Sequence, residues 1–172
     1  MRKIIIIGTF HTGLTPNKEL KEVLEEIKPD QLLVEITERE IKNDNLRKYL
    51  PEMVFAYRWA KKKKIAVSGF DSSINVLSKG MTEKDNKSII KKQKKLMRGY
   101  TWKDFNKEKY LKLLEGSEED LIDWKKEQRR EKKMLQNIKK AMHSNGIIVI
   151  VTGCGHLKFF KKHIKRAVFP FR

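Results

Sequence analysis

Four short runs of β-branched and other apolar residues constrain this chain more than any other feature: KIIIIG (Lys3–Gly8), QLLVEI (Gln31–Ile36), IAVSGF (Ile65–Phe70) and IIVIVTG (Ile147–Gly153). Their apolarity is continuous rather than alternating. A strand with one face in water alternates, whereas a strand covered on both faces does not, which is the condition of a parallel sheet between helix layers. Between the first two runs lies TPNKELKEVLEEIKPD, where Leu20, Val23, Leu24 and Ile27 recur at the spacing of one helical face. Thr15 is expected to cap this helix, with Pro16 in its first turn and Pro29 marking its stop. A second helix is expected from Pro51 to about Lys61, ahead of the third run. Strand, helix and strand in that order form crossover units. The expected fold class is therefore α/β, a mostly parallel central sheet flanked by helices.

After Asp71 the pattern changes, and the stretch from about Glu83 to His143 reads as helical, polar and basic. Ile89, Ile90, Gln93, Leu96 and Met97 suggest one amphipathic helix, and Tyr110, Leu111 and Leu114 a shorter one. Ser117 is expected to open a long helix carrying Leu121, Trp124, Gln128, Met134, Leu135, Ile138, Ala141 and Met142, which Asn145-Gly146 ends. A last helix should follow the fourth run, with Leu157, Phe160, Ile164 and Val168 on one face. The length suits one domain over residues 1–172, with a helical insertion at about 82–145 between the third and last strands.

Lys and Arg number 40 against 22 Asp and Glu, a formal charge of +18. Such a field attracts polyanions at low salt. The lysines alternate with glutamates, however, and KKKK (Lys61–Lys64) reads as a solvated helix end, so nucleic-acid binding is the lesser expectation. The single cysteine, Cys154, excludes an internal disulfide and a Cys-based zinc cluster, and it fits a reducing compartment. Ile4–Ile7 is too short for the core of a signal peptide, and no run reaches the length of a membrane span. A cytoplasmic protein without a membrane segment is expected. Apolar positions in the insertion leave open either a lid over the sheet or a homodimer surface.

In open parallel sheets, ligands bind beyond the carboxyl ends of the strands. Four polar residues fall there: His11 after the first run, Glu35 at the end of the second, Asp71 after the third and His156 after the last. Glu35 interrupts an apolar run, and a carboxylate in that setting needs a cation, a metal or several hydrogen bonds. Both histidines follow the same strand-GxxH pattern, so both should occupy one edge of the sheet. Gly8, Gly153 and Gly155 would permit tight turns and let a substrate or metal approach the backbone. Two imidazoles and a carboxylate are the ligands of a hydrolytic divalent metal ion such as zinc, manganese, cobalt or iron. Without a metal, the same groups can act as acid and base around a water. The spacing leaves both routes open. Cys154 reads as a small filler between two glycines, His143 and His163 as ordinary helix residues, and Trp59, Trp102 and Trp124 as core or interface residues.

IIIIGTFHTG, KPDQLLVEI and TGCGHLKFF together resemble the TraB/PrgY proteins and the Tiki proteases, within the wider superfamily of erythromycin esterase-like and ChaN-like proteins. The hallmark there is two GxxH motifs and a glutamate, here Gly8–His11, Gly153–His156 and Glu35. RREKKMLQNI resembles the superfamily's arginine-acidic, methionine and asparagine pattern. That match implies Arg130 as the functional arginine, with Arg129 beside it and with Met134 and Asn137 behind it. Asp71 resembles the superfamily's aspartate after the third strand. The resemblance implies a metal-dependent hydrolase that cleaves a peptide or ester bond. In it His11, Glu35 and His156 would bind the metal or activate water, and Arg130 would steady negative charge on the substrate. Gly8, Asp71, Asn137, Gly153 and Gly155 would contact the substrate. Two alternatives stand beside it: a non-catalytic protein that sequesters a peptide or small anion in the same pocket, and a basic nucleic-acid-binding protein. The sequence shows neither the C-terminal membrane segments of many TraB proteins nor the signal peptide of Tiki proteins, so no membrane role is expected.

Overall fold

The computed structural model describes residues 2–10, 14–47, 49–75, 87–88, 91–92, 94–95, 97–114 and 123–171, with the backbone alone for 113 and 114. Its strands are β1 (Lys3–Thr9), β2 (Gln31–Val34), β3 (Ala66–Gly69), β4 (Ile147–Gly153) and the two-residue β5 (Ala167–Val168). All pair in parallel, in the spatial order β3-β2-β4-β1-β5. The four expected runs are four of these strands, and the fold is the expected α/β class. The helices with described bounds are α1 (Asn17–Ile27), α2 (Glu38–Lys42), α3 (Pro51–Lys62), α4 (Trp124–Ala141) and α5 (Leu157–His163), and the described residues 87–88, 91–92 and 94–95 are helical as well.

The pleat explains why the runs are apolar throughout. Ile5 and Ile7 of β1, Leu32 and Val34 of β2, and Val149 and Val151 of β4 face a core shared with Leu20, Val23 and Leu24 of α1 and Met53, Ala56 and Trp59 of α3. Their neighbours Ile4, Ile6, Leu33, Ile148 and Ile150 face the other core, against Met134 and Ile138 of α4 and Leu157 and Phe160 of α5. Period two in the strands thus feeds two helix layers, and no strand residue between them can be polar without a partner.

Several local expectations are corrected. Thr15 does not cap α1: its hydroxyl accepts the Phe10 N–H, and Pro16 occupies the cap position with no side-chain bond. The insertion is not helical throughout, because Asp104–Asn106 and Glu108–Leu114 are 3₁₀ turns and residues 97–99 form a turn. Ile89, Ile90, Gln93, Leu96, Ser117 and Leu121 lie outside the described residues. The long helix starts at Trp124, where the Asp123 carboxylate accepts the N–H groups of Lys125 and Lys126. It ends at Ala141 rather than at Asn145, and the Gln31 side chain then takes the N–H groups of His143 and Ser144. Trp124 is exposed instead of packed. Val168, expected on the last helix, lies in β5, and α5 stops at His163.

The insertion is tied to the sheet by Asn106, fully buried, whose amide imitates a neighbouring strand. Its oxygen accepts the Gly8 N–H at 2.6 Å and its nitrogen donates to the Gly8 carbonyl at 2.8 Å. No helix among the described residues is long and apolar enough to cross a membrane.

Candidate functional site

Because every strand is parallel, the carboxyl ends of β3, β2, β4 and β1 form one edge in that order. Asp71, Glu35 and His156 follow the first three of these strands directly or by a single turn, and the 3₁₀ turn Cys154–His156 carries the histidine. Helix α4 packs along one face of the sheet, with its first half at this edge beside Glu35 and its last residue at the opposite end beside Gln31, and Glu127, Arg130, Glu131, Met134 and Ile138 recur on it at i, i+3, i+4, i+7 and i+11. Met134 and Ile138 are buried on the sheet. Glu127, Arg130 and Glu131 extend the same face past the strand ends.

Glu35 is the first residue beyond β2, and its side chain is 9% exposed. One carboxylate oxygen, Oε2, accepts the Thr152 hydroxyl and the Gly153 N–H, both at 2.7 Å. The other, Oε1, accepts Arg130 Nη2 at 2.7 Å and lies 3.5 Å from His156 Nε2. Burial alone would discourage its charge, but the imidazolium of His156, the guanidinium and the Gly153 N–H prevail, holding the carboxyl well below the usual carboxylate range.

All three guanidinium nitrogens of Arg130 face protein partners. Nε donates to Asp71 Oδ1 at 3.0 Å, Nη2 is shared by Asp71 and Glu35, and Nη1 lies 3.3 Å from His156 Nε2 and 3.8 Å from Glu127 Oε1. Burial opposes its charge, and the three carboxylates overcome that and raise its pKa. Asp71 shows the opposite balance, since burial outweighs Arg130 and raises its carboxyl. Asn137, two turns along α4, donates to the carbonyls of Phe70 and Asp71 and so anchors the end of β3.

His156 is buried between two acidic groups. Its Nε2 meets Glu35 and Arg130, while its Nδ1 lies 3.1 Å from Glu131 Oε1 and 3.3 Å from Glu127 Oε1. Desolvation disfavours the imidazolium, but Glu35 and Glu131 more than compensate and its pKa is pushed up to about 10. Glu127 is raised chiefly by burial. Its Oε2 is buried with no hydrogen-bond partner among the described residues. A buried carboxylate oxygen with no donor either carries a proton or meets a cation.

One oxygen each from Glu127 and Glu131 and a ring nitrogen of His156 lie within 4.8 Å of one another, close enough to hold one metal ion. The donor set is chemically apt: two carboxylates and an imidazole, one of the carboxylate oxygens lacking a partner. Among the described residues Glu35, Asp71, Glu127 and Glu131 pair with two cationic side chains, Arg130 and His156, an excess of negative charge that a divalent cation relieves.

Of the residues expected from sequence, Glu35, Asp71, Arg130, Asn137 and His156 converge here, and Gly153 contributes its N–H. His11 lies outside the described residues. Glu35 has both oxygens engaged, so the carboxylates open to an ion are Glu127 and Glu131. Arg130 gives Nε and Nη2 to Asp71 and Glu35, which makes it the counter-charge of the pocket. Gly8 is needed for packing, since a Cβ there would meet Leu157 at 2.5–2.9 Å, whereas one on Gly155 would meet nothing within 4 Å. Glu127 and Glu131 escape a reading of α4 as a solvated Lys/Glu helix. The signal that finds them is their i, i+4 spacing on the face that carries Met134 and Ile138. Comparison of the chain with protein-family models, with curated proteins and with solved structures finds no match.

Proposed function

We propose that the protein is a metal-assisted hydrolase that cleaves a peptide or ester bond, with the ion held by His156, Glu131 and Glu127. The observation that carries this reading is the partnerless Glu127 Oε2 beside Glu131 and the Nδ1 of His156, at the carboxyl edge of a parallel sheet. The resemblance of the two GxxH motifs and Glu35 to the TraB/PrgY and Tiki proteins supports the same reading. A bound divalent ion supplies a water of lowered pKa and polarises the scissile carbonyl. The residues of the chain do the rest. Glu35, locked by Thr152 and Gly153, orients His156 from its Nε2 side, and Arg130 helps keep Glu35 ionised and holds Glu35 and Asp71 in place. Glu131, more exposed than Glu127, takes the proton of the attacking water and returns it to the departing amine or alkoxide.

The test starts from chelator-stripped protein supplied separately with zinc, manganese, cobalt or ferrous iron. Bound metal is measured by elemental analysis, and turnover on a panel of peptides and esters. Wild type should retain one equivalent and hydrolyse only when loaded, and His156→Asn and Glu131→Gln should lose both properties. Full turnover by stripped protein, or undiminished metal uptake by the His156→Asn/Glu131→Gln double variant, overturns the proposal. Tight ligand binding without turnover under any of the four metals would identify a binding protein instead.

A further inference from the structure

Helix α4 has a second polar face. Arg129, Lys132, Lys133, Gln136 and Asn137, at i, i+3, i+4, i+7 and i+8, form one wall of a cleft of about 970 Å³ that begins at Asp71 and so adjoins the carboxylate cluster. Ser72, Ser73 and Asn75, after β3, and Arg39 of α2 also line it. The acidic residues in the cleft are already committed: Glu38 accepts the Gly69 N–H at 2.9 Å, Asp71 is held by Arg130, and Glu40 has a partner. The cations are not. Arg39, Arg129, Lys132 and Lys133 make no side-chain hydrogen bond or ion pair among the described residues.

We infer that this cleft binds an anionic group, a carboxylate or a phosphoryl, of the molecule whose bond is cut at the neighbouring cluster. Its substrate role rests on the hydrolase reading above. Nε and Nη2 of Arg130 are bonded to Asp71 and Glu35, so its charge is spent on carboxylates inside the protein. The adjacent residue, Arg129, points along the other helix face into the cleft, where Lys132 and Lys133 reinforce it. One helix thus separates two electrostatic tasks, an anionic pocket that suits a cation and a cationic groove that suits an anion. The hydroxyls of Ser72 and Ser73 on the facing loop supply neutral hydrogen-bond partners for the same group. The substrate class that fits is a polar, acidic molecule with its charge a short distance from the scissile bond.

The test titrates the metal-free full-length protein with inorganic phosphate and, in a separate arm, with glutarate, following backbone amide resonances. Saturable shifts are expected at Ser72, Ser73 and Asn75 with at least one of the two anions, and the stronger arm distinguishes phosphoryl from carboxylate. Affinity should fall about tenfold or more in the Arg129→Gln/Lys132→Gln/Lys133→Gln variant. It should be unchanged in Lys61→Gln/Lys62→Gln/Lys64→Gln, which removes equal charge elsewhere. Equal affinity in the two triple variants, shifts spread evenly over all lysine-bearing helices, or no binding of either anion overturns the inference. So does single-stranded oligonucleotide binding that both triple variants weaken alike, which would assign the charge to nucleic acid. Anion binding that survives in His156→Asn, where the metal and turnover should be lost, separates a failure of the hydrolase reading from a failure of the cleft.

Discussion

Arg130 and Glu35 stand 95 residues apart in the chain, yet Nη2 of one lies 2.7 Å from Oε1 of the other. The pair joins the first half of α4 to the carboxyl end of β2. Around it gather Asp71, His156 and Glu127, so the contact organises five charged side chains within one buried layer.

Replacing Arg130 by Met should therefore strand Glu35 and Asp71 without their counter-charge. We expect a loss of about 3–5 kcal/mol in urea unfolding of the metal-free protein. Arg129→Met, one residue away but facing the cleft, should stay within about 0.5 kcal/mol. Equal effects of the two substitutions would contradict the division of the two helix faces.

His156 makes stability depend on pH in a specified direction. Its folded pKa of about 10 lies above the ordinary 6.5, so its contribution is complete below pH 6.5 and is lost as pH rises towards 10. Glu35 is shifted the other way from 4.5, so its contribution is present above that value and is lost as pH falls below it. Unfolding free energies of metal-free wild type should decline above pH 6.5. The decline should be much shallower in His156→Asn, and parallel profiles would exclude the buried imidazolium.

Asn106 satisfies both backbone groups of Gly8 and a third, the Trp102 carbonyl. Asn106→Leu leaves these groups buried without partners, and we expect a loss of about 1–3 kcal/mol for each one that water cannot reach. Hydrogen exchange should locate the change, with the Gly8 amide losing its protection before the centre of β1. An unchanged Gly8 exchange rate would show that the strand end does not rely on this side chain.

The two glycines of the GxxH segments with measurable surroundings should differ. Gly8→Ala drives a methyl into Leu157 and should cost about 1–3 kcal/mol through overpacking. Gly155→Ala meets open space and should change stability by no more than about 0.5 kcal/mol. Thermal unfolding of both variants decides the matter, and a reversal of their order would refute the packing account of Gly8.

The α/β class, four strands and the helices α1 and α3 were legible in the order of residues, because continuous β-branched runs and 3.6-residue periodicity are local consequences of burial on two faces and on one. Glu35 also announced itself, as a charge inside an apolar run. Other features depended on contacts that no local pattern encodes. Thr15 looks like a helix cap, but the Phe10 N–H needs a buried acceptor and takes it. Val168 has helical spacing, yet the open edge of β1 captures it as a short strand. Glu127 and Glu131 read as solvent-facing members of a basic helix until the first half of α4 is brought to the strand ends. Amino-acid order alone therefore determined four of the five strands, the edge they share and that Glu35 requires a partner. The tertiary structure decided which partner: the packing of α4 along the sheet face brings Arg130 to Glu35, leaves an oxygen of Glu127 without a donor among the described residues and turns Arg129 outward, because charges pair by distance in space and a 95-residue separation carries no information about that distance.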